Sequence, residues 1–212
     1  MLTQEQINKD WTVRSDNYNN YVEEEFATDR PKKWLELIES QAPDSRPLQI
    51  LDAGCGPAPM ISLLAEKYPD RHYTGLDLTP AMIEQAKAKH IANAEFVVGD
   101  CENFPFEENS FDAIICSNSF HHYPDPQGFF DSVKRCLRPG GRLILRDVTS
   151  ENKLLVWLMD HIELPLANLC GHGDVRTTTK ETVTECCRKA GLNVEKIEIR
   201  KGMRMHCVVR KS

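Results

Sequence analysis

The sequence has no apolar run long enough to cross a membrane. Its longest uncharged apolar stretch, residues 154–159, falls far short of the roughly 20 residues that a spanning helix needs. It also has no excess of positive charge, because 26 Lys and Arg stand against 32 Asp and Glu, for a net charge of −6. We therefore expect neither a nucleic acid nor an anionic membrane as a partner. The first residues carry no apolar or Arg-rich targeting pattern, which predicts a cytoplasmic location.

Disulfide and zinc patterns are also missing. The eight cysteines are spread over 212 residues, and no C-x-x-C pair occurs among them. A small secreted domain would hold its cysteines at a much higher density, so we expect reduced thiols that pack as small apolar side chains. No structural zinc site is predicted.

From residue 48 onwards, short apolar runs of β-forming residues alternate with longer segments of helical period. This alternation predicts an α/β protein with parallel strands. The predicted strands are residues 48–51, 72–76, 95–98, 113–116 and 142–145, and the helices between them are residues 60–67, 81–90 and 126–137. The Arg-Pro-Gly-Gly of residues 138–141 is interpreted as the stop signal of the last of these helices.

The C-terminal third has a different pattern. Residues 154–166 and 180–190 are predicted helices, and residues 194–199 and 203–209 are predicted to form a hairpin. We therefore expect a single domain with a mixed seven-stranded sheet, helices on both faces and an antiparallel C-terminal hairpin. Its predicted parts are an N-terminal helical segment (1–47), a core (48–150), inserted helices (151–191) and the hairpin (192–212).

The most informative stretch is a strand that enters a glycine loop and then a helix, over residues 50–59. Gly54 and Gly56 let the backbone approach a ligand closely, and Asp77, at the end of the next strand, is placed to accept hydrogen bonds from both hydroxyls of a ribose. This pattern is typical of nucleotide-binding loops.

Three residues of the loop argue against a dinucleotide. Pro59 replaces the third glycine of the dinucleotide pattern, and Pro57 and Pro59 both lack the N–H groups that a pyrophosphate would use. Asp52 adds a carboxylate that would repel phosphate but would suit a ligand with an ammonium group. The loop therefore favours an amino-acid nucleoside.

At this point the sequence resembles the class I S-adenosylmethionine-dependent methyltransferases, in particular the small-molecule branch that includes ubiquinone and menaquinone methyltransferases. The resemblance covers most of the chain and implies a Rossmann-like class I fold, S-adenosylmethionine as cofactor and a small-molecule methyl acceptor. It is carried by residues 51–56, 75–82, 99–101, 104–106, 110–112 and 137–141.

The resemblance also implies roles for individual residues. Asp52 and the backbone of the glycine loop would hold the methionine part, Asp77 the ribose, and Met82, Asp100 and the Cys101 backbone the adenine. The complete predicted cofactor-binding set is Asp52, Gly54, Cys55, Gly56, Asp77, Leu78, Met82, Asp100, Cys101, Ser117, Asn118 and Tyr18.

Several of these residues also have structural interpretations. Asp77 could cap the next helix, Met82 could belong to the core, and Asp100 could be a turn residue. Asp52 has little structural reason to end a buried strand, because a buried carboxylate is costly unless donors or a cation meet it.

His121 and His122 follow the fourth strand, which faces the methyl acceptor in this fold. Histidine is the side chain best suited to remove a proton near neutral pH, so either residue is a candidate catalytic base. The alternative is that one packs and the other hydrogen-bonds a loop carbonyl. Some related quinone methyltransferases carry two glutamates and a histidine here for a divalent cation. This sequence has Asn118, His121 and His122 instead, and we expect no metal.

Other segments fit the resemblance less specifically. Relatives often begin with a helix that closes over the cofactor, and Trp11, Tyr18 and Tyr21 would suit such a lid. The alternative for that segment is an amphipathic helix packed on the domain. The inserted stretch 157–176, with His161, His172 and Asp174, lies where relatives build acceptor pockets. The basic hairpin is interpreted as a solvated sheet edge, with an RNA or acidic-substrate patch as the alternative.

Two other functions stay open. A non-catalytic protein that binds S-adenosylmethionine or S-adenosylhomocysteine would have the same sequence features. An NAD(P)-dependent oxidoreductase is a further alternative, but it would require the third glycine and usually a Tyr-x-x-x-Lys pair, and neither occurs.

Overall fold

A computed structural model describes residues 47–169, 174–200 and 203–212. These residues form one seven-stranded sheet in the order β3-β2-β1-β4-β5-β7-β6. The strands are β1 (Gln49–Ala53), β2 (His72–Asp77), β3 (Ala94–Val98), β4 (Phe111–Ser117), β5 (Leu137–Val148), β6 (Asn193–Arg200) and β7 (Arg204–Arg210). The first five strands are parallel and β7 is antiparallel to both β5 and β6, so the predicted mixed sheet with a C-terminal hairpin is confirmed.

Helices cover both faces of the sheet. They are α1 (Pro59–Lys67), α2 (Pro80–Ala88), α3 (Pro126–Cys136), α4 (Lys153–Leu158), α5 (Leu164–Leu169) and α6 (Lys180–Ala190). Along β1, Ile50 joins the apolar cluster that contains α1 and α2, whereas Leu51 joins the cluster that contains α3 and α6. Successive residues of a strand point to opposite faces, so the continuous apolar pattern of β1 reflects burial on both sides.

Two boundaries differ from the predictions. Strand β5 begins at Leu137, directly after α3, and the predicted stop signal at residues 138–141 lies within this strand, where the pairing with β4 shifts register. The predicted helix 154–166 is also interrupted, because Met159–Glu163 forms a π-helical turn between α4 and α5. Pro165 accounts for the interruption, since it lacks an N–H and clashes with the carbonyl one turn earlier.

The strand order places the carboxyl ends of β1 and β4 side by side. The chain runs outward from β1 to β2 and β3 and then returns to β4 on the other side of β1. This reversal leaves a crevice at the carboxyl ends of the two strands, which is where α/β proteins of this class bind ligands.

The described cysteines are reduced and buried, as the sequence predicts. Seven cysteines are described, and all are buried free thiols. None of the helices in the described ranges combines the length and apolar character that a bilayer crossing requires.

Candidate active site

The glycine loop after β1 is a tight turn held by the next strand. The N–H groups of Gly54 and Cys55 donate to the Leu76 carbonyl at 2.8 and 3.0 Å. Gly54 has φ of +73°, and a Cβ there would lie 2.4 Å from the Ser119 Oγ. Only glycine satisfies both the left-handed backbone and the close approach at this position.

Asp52 is the most unusual group of the crevice. It is 3% exposed, and its carboxylate has no hydrogen bond or ion pair with a side chain or backbone N–H of the described ranges. Burial, together with the nearby Asp77 carboxylate, raises the pKa of Asp52 from 3.8 to about 7. A cation beside Asp52 would offset both effects and hold the carboxylate ionised.

Asp77 organises the loop and the following helix. Its Oδ2 accepts a hydrogen bond from the Gly56 N–H at 2.8 Å, and its Oδ1 accepts one from the Thr79 N–H at 2.9 Å. Burial raises the pKa of Asp77, while these two N–H groups oppose the rise. Asp77 thus meets the N–H of Thr79, the residue before α2, and no N–H of the helix itself, and α2 has no side-chain cap. Each carboxylate oxygen keeps a lone pair for a further donor.

The predicted adenine residues lie around the ends of β2 and β3. Met82, on α2, is 2% exposed and stands outside both apolar clusters of the described residues, whereas Leu78 is partly exposed. Asp100 is half-buried, and its Oδ1 accepts from the Glu102 N–H at 2.8 Å, as a turn residue would. Cys101 is buried, so a ligand would meet this segment through backbone or partly exposed groups.

Ser117 and Asn118 end β4 with unsatisfied polar atoms. The Ser117 Oγ and the Asn118 Oδ1 are buried and have no hydrogen-bond partner within the described part of the chain. Asn118 also has a left-handed backbone, with φ of +54°, and its N–H donates to the Arg146 carbonyl at 2.9 Å. Buried polar atoms without partners are costly, so a polar ligand beside Asp52 would stabilise this end of the crevice.

The start of α1 is a poor anion site. Ala58, its N-cap residue, has φ of +60° and makes no capping hydrogen bond through its side chain, and Pro59 is the first helical residue. The missing N–H groups of Pro57 and Pro59 thus fall where a pyrophosphate would need donors. Tyr18, the remaining predicted cofactor residue, lies outside the described residues, as do Trp11 and Tyr21.

The two histidines lie on a 3₁₀ turn, Phe120–His122, beside the crevice. Asp147, fully buried on β5, accepts from the backbone N–H of His121 at 2.8 Å and from its ring Nδ1 at 2.6 Å. Burial alone would lower the pKa of His121, but the charge and hydrogen bond of Asp147, with a smaller effect of Asp174, raise it to about 10. The metal-free His121 is therefore a cation at neutral pH.

Asp174, from the inserted region, reaches both histidines. Its Oδ1 lies 3.4 Å from the His121 Nε2 and 3.3 Å from the His122 Nδ1. Asp147 is not among the residues that the sequence predicts for the site, and Asp174 is singled out there only as part of the stretch where relatives build acceptor pockets. The only signal for Asp174 is its place in the inserted region, and Asp147 stands just past the predicted end of its strand.

A match to a family model agrees with this arrangement. Residues 51–145 match the model of a methyltransferase domain, and this segment runs from the glycine loop to the middle of β5. The matched segment contains Asp52, Asp77 and both histidines, whereas Asp147 and Asp174 lie beyond it.

Among characterised proteins, the phthiotriol/phenolphthiotriol dimycocerosates methyltransferase of Mycobacterium leprae is 39% identical over 122 residues, which cover 57% of this chain and 45% of that protein. The fatty-acid O-methyltransferase of Mycolicibacterium smegmatis is 36% identical over 122 residues, or 57% of this chain and 44% of that protein. This chain therefore spans about half the length of these relatives.

A solved structure has a similar fold. One chain of the complex between the Haloferax volcanii Trm112 methyltransferase activator and a methyltransferase superposes with a TM-score of 0.74, at 19% identity, and covers 99% of both chains. At this identity the likeness concerns the fold alone. The sequence motifs, the crevice at the end of β1 and the family match agree, and the segment 51–145 is a methyltransferase domain.

Proposed function

We propose that this chain transfers a methyl group from S-adenosylmethionine to a small-molecule acceptor. The observation that carries the proposal is the group of buried polar atoms at the ends of β1 and β4. It consists of the Asp52 carboxylate, whose pKa burial raises to about 7, and of the Ser117 Oγ and the Asn118 Oδ1, which have no partner among the described residues. An ammonium group fits the buried carboxylate of Asp52, and diphosphate does not. The cofactor of the family carries such an ammonium group on its methionine part.

The proposed binding site follows the ends of β1, β2, β3 and β4. Asp52 and the backbone of residues 54–56 would hold the methionine part, and Asp77 would accept from the ribose while it keeps the loop closed. Leu78 and Met82 would contact the adenine ring, with Asp100 and Cys101 at its edge. Cofactor binding by Tyr18 is proposed from the sequence alone.

When bound, the cofactor supplies an electrophilic methyl group on a sulfonium. The protein's own part is to orient the two reactants in line and to keep water away from the sulfonium, and both effects arise from a preformed crevice. The preformed elements are the Asp77-held loop and the turn that bears the histidines. The hydroxyl of Ser119 fixes this turn to β1, because it donates to the Ala53 carbonyl at 3.1 Å.

The geometry separates the two candidate bases. Both ring nitrogens of His121 face carboxylates, Nδ1 that of Asp147 and Nε2 that of Asp174. A base must offer a free lone pair to its substrate. This argues against proton removal by His121, whereas His122, whose Nδ1 lies 3.3 Å from Asp174, stays a candidate base from the sequence alone. An acceptor that is already ionised would need no base.

We further propose that the acceptor is largely apolar. The inserted helices expose large apolar side chains, and the names of both relatives given above refer to lipids. These side chains are Leu154, Trp157, Leu158, Ile162, Leu166 and Leu169.

No nucleic-acid partner is proposed. Lys196 and Arg200 of the hairpin pair with Glu198, and Arg210 lies 3.9 Å from Glu195, so acidic neighbours balance the basic residues there. This supports a solvated sheet edge, although exposed pairs add little stability.

A labelled-methyl transfer assay tests the proposal and separates it from simple cofactor binding. Purified protein and methyl-labelled S-adenosylmethionine are incubated with fatty acids, long-chain alcohols, phenols and a lipid extract. At a cofactor concentration below saturation we expect label in an organic-phase product for wild type and much less for Asp52→Asn, with the exposed Asp70→Asn as the matched control. Tight cofactor binding without transfer to any acceptor would favour the non-catalytic alternative.

A further inference from the structure

The side chains of His121, His122 and Asp174 converge at one point beside the crevice. One ligand atom from each lies within 4.8 Å of the others. The three side chains are 18%, 11% and 20% exposed, so an ion can reach them from solvent. We propose that these residues bind a divalent transition-metal ion.

Two of the three distances between ligand atoms suit tetrahedral coordination, and the third, between the two ring nitrogens, is at most 4.8 Å. Two ligand atoms that each lie about 2.0 to 2.1 Å from a zinc ion at the tetrahedral angle are about 3.3 to 3.5 Å apart. The Asp174 Oδ1 lies 3.4 Å from the His121 Nε2 and 3.3 Å from the His122 Nδ1. An ion between these atoms thus requires little movement of the Asp174 carboxylate relative to either ring.

Asp147 prepares His121 for this role. A carboxylate only accepts hydrogen bonds, so the 2.6 Å contact places a ring proton on Nδ1, and an ion that binds at Nε2 would displace the proton between this nitrogen and Asp174. Asp147 is itself held by the Val148 N–H at 2.7 Å and the Thr178 hydroxyl at 3.1 Å. Metal-bound histidines commonly have such a carboxylate on the opposite ring nitrogen, where it fixes the tautomer and the ring orientation.

Asp174 is also held in place. Its backbone N–H donates to the Asn168 side-chain oxygen at 3.0 Å, and its carbonyl accepts from the Asn168 amide at 2.8 Å. The next residue, Val175, donates its N–H to the His121 carbonyl at 3.0 Å. The inserted segment is therefore tied to the turn that carries the histidines, and the three ligands are arranged before an ion arrives.

The ligand set selects the kind of ion. Two imidazoles and one carboxylate favour zinc and similar transition metals over magnesium or calcium, which prefer oxygen ligands. Three protein ligands leave at least one coordination position open. The role of that position rests on the proposed function, under which it would bind an oxygen or nitrogen atom of the acceptor. His122 would then be a ligand and not a base, because the same lone pair cannot serve both.

This inference replaces the expectation of no metal. That expectation compared only the spacing of residues 118, 121 and 122 with the glutamates of quinone methyltransferases. Asp174 is more than fifty residues further along the chain, so no local pattern brings it to the histidines.

The test is a calorimetric titration of tag-free, chelator-treated full-length protein with Zn²⁺, with metal content measured after gel filtration. We expect one ion per chain, unaffected by millimolar Mg²⁺. Asp174→Asn and His122→Ala should each weaken binding at least 100-fold, and Asp147→Asn should weaken it about 10- to 100-fold. The matched control is His90→Asn, because His90 is exposed and asparagine adopts its left-handed backbone.

Each variant is also titrated with S-adenosylhomocysteine and checked by its thermal melt. Normal cofactor binding with no stoichiometric zinc in wild type would overturn the metal site and leave the proposed function intact. Zinc that binds equally well to Asp174→Asn and His122→Ala would also overturn it. Loss of zinc affinity in folded variants that still bind S-adenosylhomocysteine supports the site.

Discussion

Asp52→Asn should weaken cofactor binding and stabilise the cofactor-free protein. The substitution keeps the shape of the side chain but removes its charge. In the free protein that charge is buried and unpaired within the described residues, and the pKa of the group rises to about 7. In the complex, the same charge would meet the ammonium group of the cofactor. The two effects therefore have opposite signs.

The magnitude follows from the rise of the Asp52 pKa from 3.8 to about 7. A group whose pKa is raised on folding stabilises the protein at low pH, and this contribution is lost as pH rises through the folded-state pKa. Each tenfold change in an ionisation equilibrium corresponds to about 1.4 kcal/mol, so the free protein loses up to roughly 4 kcal/mol between pH 4 and pH 8. Asp52→Asn avoids this loss, so its melting temperature should exceed that of wild type at pH 8 and approach it at pH 5.

The affinity for S-adenosylmethionine should change with pH as Asp52 ionises. Below pH 7 the cofactor must displace a proton from Asp52, so wild-type affinity for S-adenosylmethionine should rise about tenfold for each pH step of one between pH 5 and pH 6.5 and level off above pH 7. Asp52→Asn should lack this rise and bind about 10- to 100-fold more weakly at pH 8, as expected for a lost charge-assisted hydrogen bond.

Thermal melts and calorimetric titrations of wild type, Asp52→Asn and the control Asp70→Asn measure both effects. A variant that melts earlier than wild type at pH 8 would refute the argument from burial. If the affinity of Asp52→Asn for S-adenosylmethionine depended on pH as that of wild type does, Asp52 would not be the partner of the cofactor's ammonium group.

Three further substitutions test other parts of the site. Asp77→Ala should weaken cofactor binding by about 1 to 3 kcal/mol and also lower the melting temperature by several degrees, because two backbone N–H groups lose their acceptor. Normal cofactor binding in that variant would show that Asp77 only holds the loop and does not contact the cofactor. Gly54→Ala should abolish binding, since its Cβ would lie 2.4 Å from a serine oxygen, whereas Gly140→Ala, with a left-handed backbone but its nearest atom at 4.0 Å, should bind normally. Leu166→Lys should reduce transfer to apolar acceptors at unchanged cofactor affinity, and the exposed Met203→Lys should not; equal rates would argue against the apolar acceptor surface.

The sequence predicts the sheet well because its strands are buried on both faces and give continuous apolar runs. The turn-forming groups at the strand ends, such as Asp77, follow from the same pattern. The break at Pro165 is not predicted, although its cause is local. The amphipathic period of residues 154–166 outweighs a single proline in the prediction.

The contacts of the histidines could not be predicted. Asp147 meets His121 because β5 lies beside β4, and Asp174 meets both rings because the inserted segment returns to the same edge. Both contacts join residues that are at least 26 positions apart. Local patterns predict which residues end a strand, but contacts between distant segments depend on the assembled sheet.

The crevice at the end of β1 should bind S-adenosylmethionine, and every other role proposed for this chain depends on that binding. It is tested most directly by calorimetric titration of the full-length protein with S-adenosylmethionine, S-adenosylhomocysteine and NAD at pH 8. The arrangement of Asp52, Pro57 and Pro59 predicts one site with micromolar affinity for the first two ligands and no heat from NAD. Tight NAD binding with no response to S-adenosylmethionine would contradict the assignment.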